Sequence, residues 1–281
     1  MEIKHIKNLS EIESIGNKFG YATTLTGKAD PIVLDSKDTH YIVDEWQDLW
    51  YRGDVTIRNV EFAKGVSFYA QGAEKRKIVI EDCIIKWCDQ KNDLLPKLDK
   101  DSNFRIDNSG NGLCLSFDGK EGSQVDVEVR NCTLIGDNNT NGERKDSFKS
   151  KDDYANYKSA PSTFDTKKYK GRGNGVGIGT ASGKGIAFTS VLIDGCSFEG
   201  LRNAAVQLYT FNCPITISNC DFKSWGINKD DIAETYTYAI RGNVNATSHA
   251  NASLTIKNCT FDHSKPDNVC NISDLDKIEI I

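Results

Sequence analysis

One eight-residue pattern recurs six times along the chain. In each copy, positions one, three and eight are apolar, position six is Val or Cys, and position five is Asn, Asp or Gly. The alternation at positions one and three, and again at six and eight, is typical of two short strands. Because Asn, Asp and Gly tolerate left-handed backbone angles, position five predicts a sharp bend between them. The six copies are Val55–Phe62, Ile78–Ile85, Val127–Leu134, Val191–Phe198, Ile215–Phe222 and Leu254–Phe261.

A further short strand, which we call the groove strand, precedes each later copy of this unit. Two pairs of successive units begin 23 and 24 residues apart, and the longer spacings contain one coil plus an inserted loop. A repeat of this length cannot bury its apolar face alone, so it predicts stacked coils around one continuous core. We therefore expect residues 1–281 to form one all-β domain, a parallel β-helix. The groove strands are Val66–Tyr69, Leu113–Ser116, Val176–Gly179, Val206–Tyr209 and Tyr238–Arg241.

Positions five and six predict two structural ladders, because equivalent residues of stacked coils lie about 4.8 Å apart. Position five should form a ladder of turn residues. Position six should form a ladder of buried thiols that pack as small apolar side chains. Disulfides between neighbouring coils are the alternative, although they would strain a regular ladder. The cysteines at position six are Cys83, Cys132, Cys196, Cys220 and Cys259.

The Val-x-Ile-x-Asn-Cys-x-Phe unit with its groove strand resembles the right-handed, pectate-lyase-like β-helix superfamily. The resemblance covers residues 32–270 and implies a right-handed coil. It does not define an activity, since members include polysaccharide lyases, glycoside hydrolases, epimerases, adhesins and phage tailspikes. It also implies an N-terminal capping helix within residues 1–30. Ile12, Ile15 and Phe19 have helical spacing, and Ser10 with Glu13 matches a capping box.

The outward residues of the groove strands are the candidate ligand-binding residues. Aromatic rings stack on sugar faces, and amides and hydroxyls hydrogen-bond to sugar hydroxyls. Irregular loops enter the groove strands at one edge, so we expect them to wall one side of a groove. The alternative is that these side chains merely cover a sheet. The predicted substrate-binding residues are Tyr69, Ser116, Asp118, Gln207 and Tyr209.

Arg241 and two acidic residues are the candidate catalytic groups. The resemblance implies that β-elimination would need an Arg or Lys base and a cation that neutralises a uronate. Arg241 lies on a groove strand and is the candidate base, while Asp230 and Asp231 are candidate acids or calcium ligands. The Gly-His-Gly segment of polygalacturonase-like hydrolases and the Asp-Pro-His-Asp signature of alginate epimerases are absent from the sequence. Structural or solvated roles are the alternative for all three residues.

One polar turn has the spacing of a calcium-binding loop. Asp137, Asn139 and Asn141 place side-chain oxygens at positions one, three and five, and Gly142 follows them. Phe148 stands where the closing carboxylate would lie, so an ordinary polar turn is the alternative. Calcium is a candidate cofactor, and the sequence predicts no other.

The inserted loop 143–172, which we call the arm, contains nine basic residues, five acidic residues and five aromatic residues. A cationic, aromatic arm beside a groove favours an anionic glycan. The alternative is a solvated surface loop whose aromatic rings pack on the coil.

Composition restricts the partners and leaves the compartment open. The chain has 40 acidic and 35 basic residues, and the net charge of -5 argues against a nucleic-acid partner. Its apolar runs are too short for a membrane span. The first fourteen residues contain no apolar region typical of a secretory signal. We expect a location outside the cell or on a virion if the sequence is a trimmed or phage-derived piece, and the cytoplasm otherwise.

The leading functional hypothesis is non-catalytic recognition of a polysaccharide or cell-surface glycan, as in an adhesin or a tailspike-like module. The rival is a polysaccharide lyase or glycoside hydrolase that acts on an acidic glycan in the same groove. A third interpretation is a pure scaffold, which the regular ladders favour. A convergent group of carboxylates or cations in the groove would favour the enzyme.

Overall fold

The structure, a computed structural model, consists almost entirely of β-strands. Its described residues contain 25 strands and one short 3₁₀ helix. Within them, no helix has the length and apolar character needed to cross a membrane. The described residues are 2–21, 27–72, 74–86, 97–98, 104–105, 111–118, 124–136, 174–178, 188–201, 204–223, 225, 238–244, 251–262, 269–273, 275 and 278–281.

All but two of these strands belong to three sheets, in which neighbouring strands run parallel. Sheet A contains, in order, β1 (Glu2–Ile6), β3 (Thr39–Val43), β6 (Val60–Phe62), β9 (Ile84–Lys86), β14 (Thr133–Ile135), β17 (Ser197–Glu199), β20 (Asp221–Phe222) and β23 (Thr260–Phe261). Sheet B contains β2 (Ile32–Asp35), β5 (Val55–Arg58), β8 (Lys75–Glu81), β13 (Gln124–Arg130), β16 (Phe188–Asp194), β19 (Pro214–Ser218), β22 (Ser253–Lys257) and β25 (Ile278–Ile280). Sheet C contains β4 (Gln47–Tyr51), β7 (Val66–Gln71), β12 (Asn111–Asp118), β15 (Asn174–Ile178), β18 (Val206–Phe211), β21 (Ile240–Val244) and β24 (Cys270–Ser273). The short strands β10 (Lys97–Leu98) and β11 (Phe104–Arg105) form a separate antiparallel pair.

From β2 onwards, the chain visits sheets B, A and C in turn. Strand β5 of sheet B leads to β6 of sheet A and β7 of sheet C, and β8 then returns to sheet B beside β5. The two strands of each repeated unit lie in sheets B and A, and the groove strands lie in sheet C. This arrangement is consistent with a parallel β-helix. The predictions of an all-β fold and of a repeated unit of parallel strands are confirmed.

The bends between sheets B and A form the predicted ladder of left-handed residues. Their φ angles lie between 50° and 63°. The backbone N–H of each bend donates to a carbonyl of the next coil, as from Asn131 to Asp194 and from Asn219 to Lys257, both at 2.9 Å. A Cβ added at Gly195 would lie 2.5 Å from Oδ1 of Asn131, so a side chain at this bend would require the Asn131 amide to move. The bend residues are Asn59, Asp82, Asn131, Gly195, Asn219 and Asn258.

The thiol ladder lies in the core, as predicted. Cys83, Cys132, Cys196 and Cys220 are 1–2% exposed, and Cys259 is half-buried. The hydrogen bond with Cys196 and then burial raise the pKa of Cys220 to about 12, so this thiol stays protonated at neutral pH. The seven cysteines whose side chains the structure describes form no disulfide. Burial confirms that position six faces the core, and the absence of cross-links from the ladder stays a prediction.

The predicted N-terminal capping helix is wrong. Residues Glu2–Ile6 instead form β1, which extends sheet A beside β3. Within residues 2–21 and 27–30, which the structure describes, helical structure is limited to one 3₁₀ turn, Leu9–Glu11, which Asn8 caps with Glu11 as the reciprocal partner. The capping box therefore lies two residues earlier than Ser10 and Glu13.

Backbone geometry beyond this turn explains why a longer helix does not form. Ile12 is extended, with φ -80° and ψ 117°, and Gly16 is left-handed with φ 50°. Leu9, Ile12 and Ile15 are nevertheless 1–7% exposed and belong to the main core. The three-residue spacing of these side chains arises because successive turns of the chain each bury one of them against the coil.

Candidate functional site

Sheet C places two of the predicted groove residues, Tyr69 and Gln207, on the face opposite its core-facing side chains. On β7, Val66, Phe68 and Ala70 point into the core and are at most 3% exposed. Because side chains alternate along a strand, Ser67 and Tyr69 point to the opposite face. The parallel register continues these two positions across the sheet. The aromatic row contains Trp50, Tyr69 and Ser116, and the polar row contains Asp48, Ser67, Cys114, Gly177, Gln207, Arg241 and Asn271.

The aromatic row begins with two stacked rings. The ring centroids of Trp50 and Tyr69 are 4.0 Å apart, with an interplanar angle of 8°. Tyr21 meets Trp50 edge-on at 5.3 Å and 89°. It is held there because the N–H of Gly20 donates to the carbonyl of Trp50 at 3.0 Å. Trp50 and Tyr69 are half-buried, so part of this aromatic surface remains accessible outside the core.

The polar row contains two buried oxygens whose hydrogen-bonding capacity is unused. Ser67 is 0% exposed and Gln207 is 6% exposed. The amide nitrogen of Gln207 donates to the carbonyls of Leu208 and Arg241, both at 3.4 Å. In the part of the chain that the structure describes, neither Oγ of Ser67 nor Oε1 of Gln207 has a hydrogen-bond partner. Such buried oxygens cost about 1–3 kcal/mol each when they stay unpaired.

The register brings several predicted binding residues into direct opposition. Tyr69 lies opposite Ser116, and Gln207 lies opposite Arg241. Asp118 lies opposite Gln71 at the end of the same strand pair. Gln207 differs from the exposed residue that the sequence suggests, because it is buried and its amide hydrogen-bonds to backbone carbonyls. The side chains of Ser116, Asp118 and Tyr209 lie outside the described part of the structure.

Arg241 stands alone among the predicted catalytic residues in having a described position. It is half-buried in the polar row. Within the described ranges, no three His, Cys, Asp or Glu side chains are grouped so as to hold a metal ion. The arm, residues 143–172, lies outside those ranges, and so do the other candidate catalytic and metal residues, Asp230, Asp231, Asp137, Asn139 and Asn141. Their roles stay predictions.

Trp50 is the residue that sequence reasoning missed. It lies on β4, which precedes the first repeated unit at Val55 just as each groove strand precedes a later unit. The segment Gln47–Tyr51 has buried Gln47 and Leu49 alternating with Asp48 and Trp50. Extending the groove-strand pattern one coil towards the N-terminus would therefore have placed Trp50 beside Tyr69.

The outer face of sheet B has a different chemistry. Its charges alternate along one register row, in which Arg58 pairs with Glu81, and Arg130 lies 3.6 Å from Asp194. Asp194 also accepts hydrogen bonds from Ser218 at 2.6 Å and Asn219 at 2.8 Å, and these bonds lower the pKa of its carboxyl group. Charged and polar side chains of neighbouring coils therefore pair with one another across this face, which is typical of a structural surface.

Comparison with known proteins gives no relative. No family model, no curated protein and no solved structure matches the chain. Its function is therefore inferred from its own residues.

Proposed function

We propose that the chain recognises a polysaccharide or cell-surface glycan without altering it, and that the glycan lies along the outer face of sheet C. The partly exposed aromatic surface of Trp50 and Tyr69, beside the polar row, is the observation that carries this proposal. Aromatic rings supply a large, rigid apolar surface, and such a surface suits the C–H faces of sugar rings. This pair lies outside the core and is half-buried, so part of its aromatic surface is accessible to a ligand.

The polar row supports the same ligand. Ser67 and Tyr69 are two residues apart on β7, so the two rows run side by side about 7 Å apart. Asp48 is exposed and Arg241 is half-buried, so their side chains can hydrogen-bond to glycan hydroxyls. Ser67 and Gln207, in contrast, are buried beneath this surface. A sugar chain along the coil axis would then meet rings on one side and polar side chains on the other.

A right-handed coil within the pectate-lyase-like superfamily forms part of this proposal. Connections between parallel strands are right-handed in about 98% of cases. The three-sheet order and the left-handed bend after the first strand of each unit agree with that assignment. An adhesin or tailspike-like module would act outside the cell or on a virion surface.

The test is isothermal titration calorimetry of the protein against a panel of neutral and acidic polysaccharides. Trp50→Ala and Tyr69→Ala should each weaken the binding that the parent shows by at least about tenfold, or ~1.4 kcal/mol. Tyr69→Phe keeps the ring and should retain most of the affinity. Val33→Ala is the matched control, because Val33 is an exposed apolar residue on sheet B, 61% accessible.

Two results would contradict the proposal. One is the absence of binding to every polysaccharide in the panel. The other is an equal loss of affinity in Val33→Ala and Tyr69→Ala, since that would show that the glycan does not bind specifically at sheet C. Circular dichroism of each variant checks that the β-structure is retained.

The catalytic alternative, a lyase acting on an acidic glycan, is favoured by the position of Arg241 opposite Gln207. An arginine in a groove can remove the proton that β-elimination requires. Under the proposal of non-catalytic recognition, uronate polysaccharides give no unsaturated product, with or without added Ca²⁺. If the parent protein gives an unsaturated product that absorbs ultraviolet light and Arg241→Ala gives none, the chain is a lyase and not a non-catalytic binding module.

A further inference from the structure

A cleft at the N-terminal end of the coil is separate from the outer face of sheet C. Its volume is about 560 Å³, which lies within the range of about 300–1,000 Å³ common for small-molecule sites. Tyr51 lines it, whereas the preceding residue, Trp50, belongs to the aromatic row. Adjacent residues of a strand point to opposite faces, so the two sites do not share these side chains. The residues that matter for its chemistry are Lys18, Gly20, Lys28, Asp30, Tyr51 and Arg52.

Contacts between residues 20–30 and 50–54 hold the walls of this cleft together. The N–H of Gly20 donates to the carbonyl of Trp50 at 3.0 Å. The hydroxyl of Tyr51 donates to the backbone carbonyl of Asp30. A Cβ added at Gly53 would lie 2.6 Å from the carbonyl oxygen of Ala29, so the two segments meet closely at that glycine. The cleft is therefore largely preformed.

Positive charge predominates in the cleft. Lys18 donates to the carbonyl of Ser14 at 2.7 Å, and Arg52 donates to the carbonyl of Gly27 at 3.2 Å. Lys28 is paired with Asp54 at 2.7 Å. The cleft therefore contains three cationic side chains, Lys18, Lys28 and Arg52, and two carboxylates, Asp30 and Asp54. A cationic cleft on a chain of net charge -5 concentrates anions locally.

Tyr51 gives the cleft an apolar wall. Its ring meets that of Phe19 edge-on, with centroids 5.6 Å apart at 66°. Burial, and then the charge of Asp30, raise the pKa of Tyr51, so the phenol stays neutral and adds no negative charge. A ligand with an apolar body and an anionic group would match both features.

We propose that this cleft binds a small organic anion, whose phosphate or carboxylate group lies between Lys18 and Arg52 and whose body packs against Tyr51. Lysine supplies a compact point charge and arginine a planar fork of donors, and both suit oxyanions. This assignment does not depend on glycan binding at sheet C.

Calorimetry with four probes tests the proposal: glucose 6-phosphate, galacturonate, glucose and inorganic phosphate. Glucose 6-phosphate or galacturonate should bind, and the stronger of the two identifies the anionic group. Glucose should not bind, and inorganic phosphate should bind at least about tenfold more weakly than the better organic anion. Affinity should fall as salt is added, because the attraction between charges is screened.

The variant Lys18→Met/Arg52→Met should lose at least about tenfold in affinity for the organic anion. Lys64→Met, at an exposed lysine in the turn after β6, is the matched control and should retain it. Tyr69→Ala should also retain it, which separates this cleft from sheet C. The proposal is overturned if neither organic anion binds, if inorganic phosphate binds equally well, or if Lys64→Met loses as much affinity as the double variant.

Discussion

Two stacks of aromatic rings, one inside the coil and one outside it, have nearly the same geometry. In the inner stack, Phe222 lies between Phe198 and Phe261, with centroids 4.8 Å and 4.7 Å apart and interplanar angles of 3° and 6°. In the outer stack, Trp50 and Tyr69 are 4.0 Å apart at 8°. Parallel strands in register place equivalent side chains one coil apart. Parallel rings are therefore a consequence of the fold and do not by themselves indicate a binding site.

The surroundings of the rings separate the two stacks. Phe198 and Phe222 are 0% exposed and form part of the continuous core. Trp50 and Tyr69 are half-buried, and a row of polar residues that includes the exposed Asp48 lies beside them. Exposure, more than ring geometry, distinguishes a surface available to a ligand.

The largest expected effect is on the inner stack. Phe222→Ala should lower the free energy of unfolding by about 3–5 kcal/mol, because it removes a buried ring and leaves a cavity. Tyr69→Ala should lower it by less than about 1 kcal/mol, since surface substitutions are usually small. Urea denaturation followed by circular dichroism measures both. Similar losses in the two variants would show that the outer stack is also structural.

The thiol ladder should show an intermediate effect. Cys196→Ser should destabilise by about 1–3 kcal/mol, because it buries a more polar hydroxyl group in an apolar site. Cys196→Ala should cost less, since it introduces no buried polar atom. Urea denaturation measures both changes. Thiol titration of the denatured, unreduced protein should find most cysteines free, and finding four disulfides would overturn the packing interpretation.

The smallest effect should come from the hydrogen-bonded charges on the outer face of sheet B. Hydrogen bonds from Ser218 and Asn219 lower the pKa of Asp194 below its ordinary value of 3.8. A lowered pKa in the folded protein stabilises it above that ordinary value, and the stabilisation is lost as pH falls through the folded pKa. Asp194→Asn should therefore reduce the drop in urea midpoint between about pH 5 and pH 3. An unchanged drop would mean that this carboxylate contributes nothing to acid stability.

The repeated unit made much of the fold predictable. Asn131 and Asn219 lie at position five, where few residue types accept the left-handed backbone, so their local chemistry predicts the bend directly. Cys132 and Cys196 follow at a position that alternation places in the core. In both cases a residue's own conformational or burial preference agrees with the geometry of the stacked coil.

The N-terminal region was less predictable because it lies outside the repeat. The spacing of Ile12 and Ile15 fits a helix, but it equally fits two turns that bury both side chains against the coil end. The cationic cleft joins Lys18 to Arg52, which are far apart in sequence. No local pattern relates such positions. Sheet C is an intermediate case, since its strands follow from the repeat but the burial of Gln207 does not.

The left-handed bends determine how the coil unfolds and refolds. The N–H of Asn59 donates to the carbonyl of Glu81, and that of Asn131 to the carbonyl of Asp194, so each formed coil offers the next one a fixed starting point. Interactions of this kind couple nearest neighbours only, and such a chain behaves as a one-dimensional zipper. Amide hydrogen exchange should therefore be slowest in the central coils. Opening should start at the two ends and advance one coil at a time.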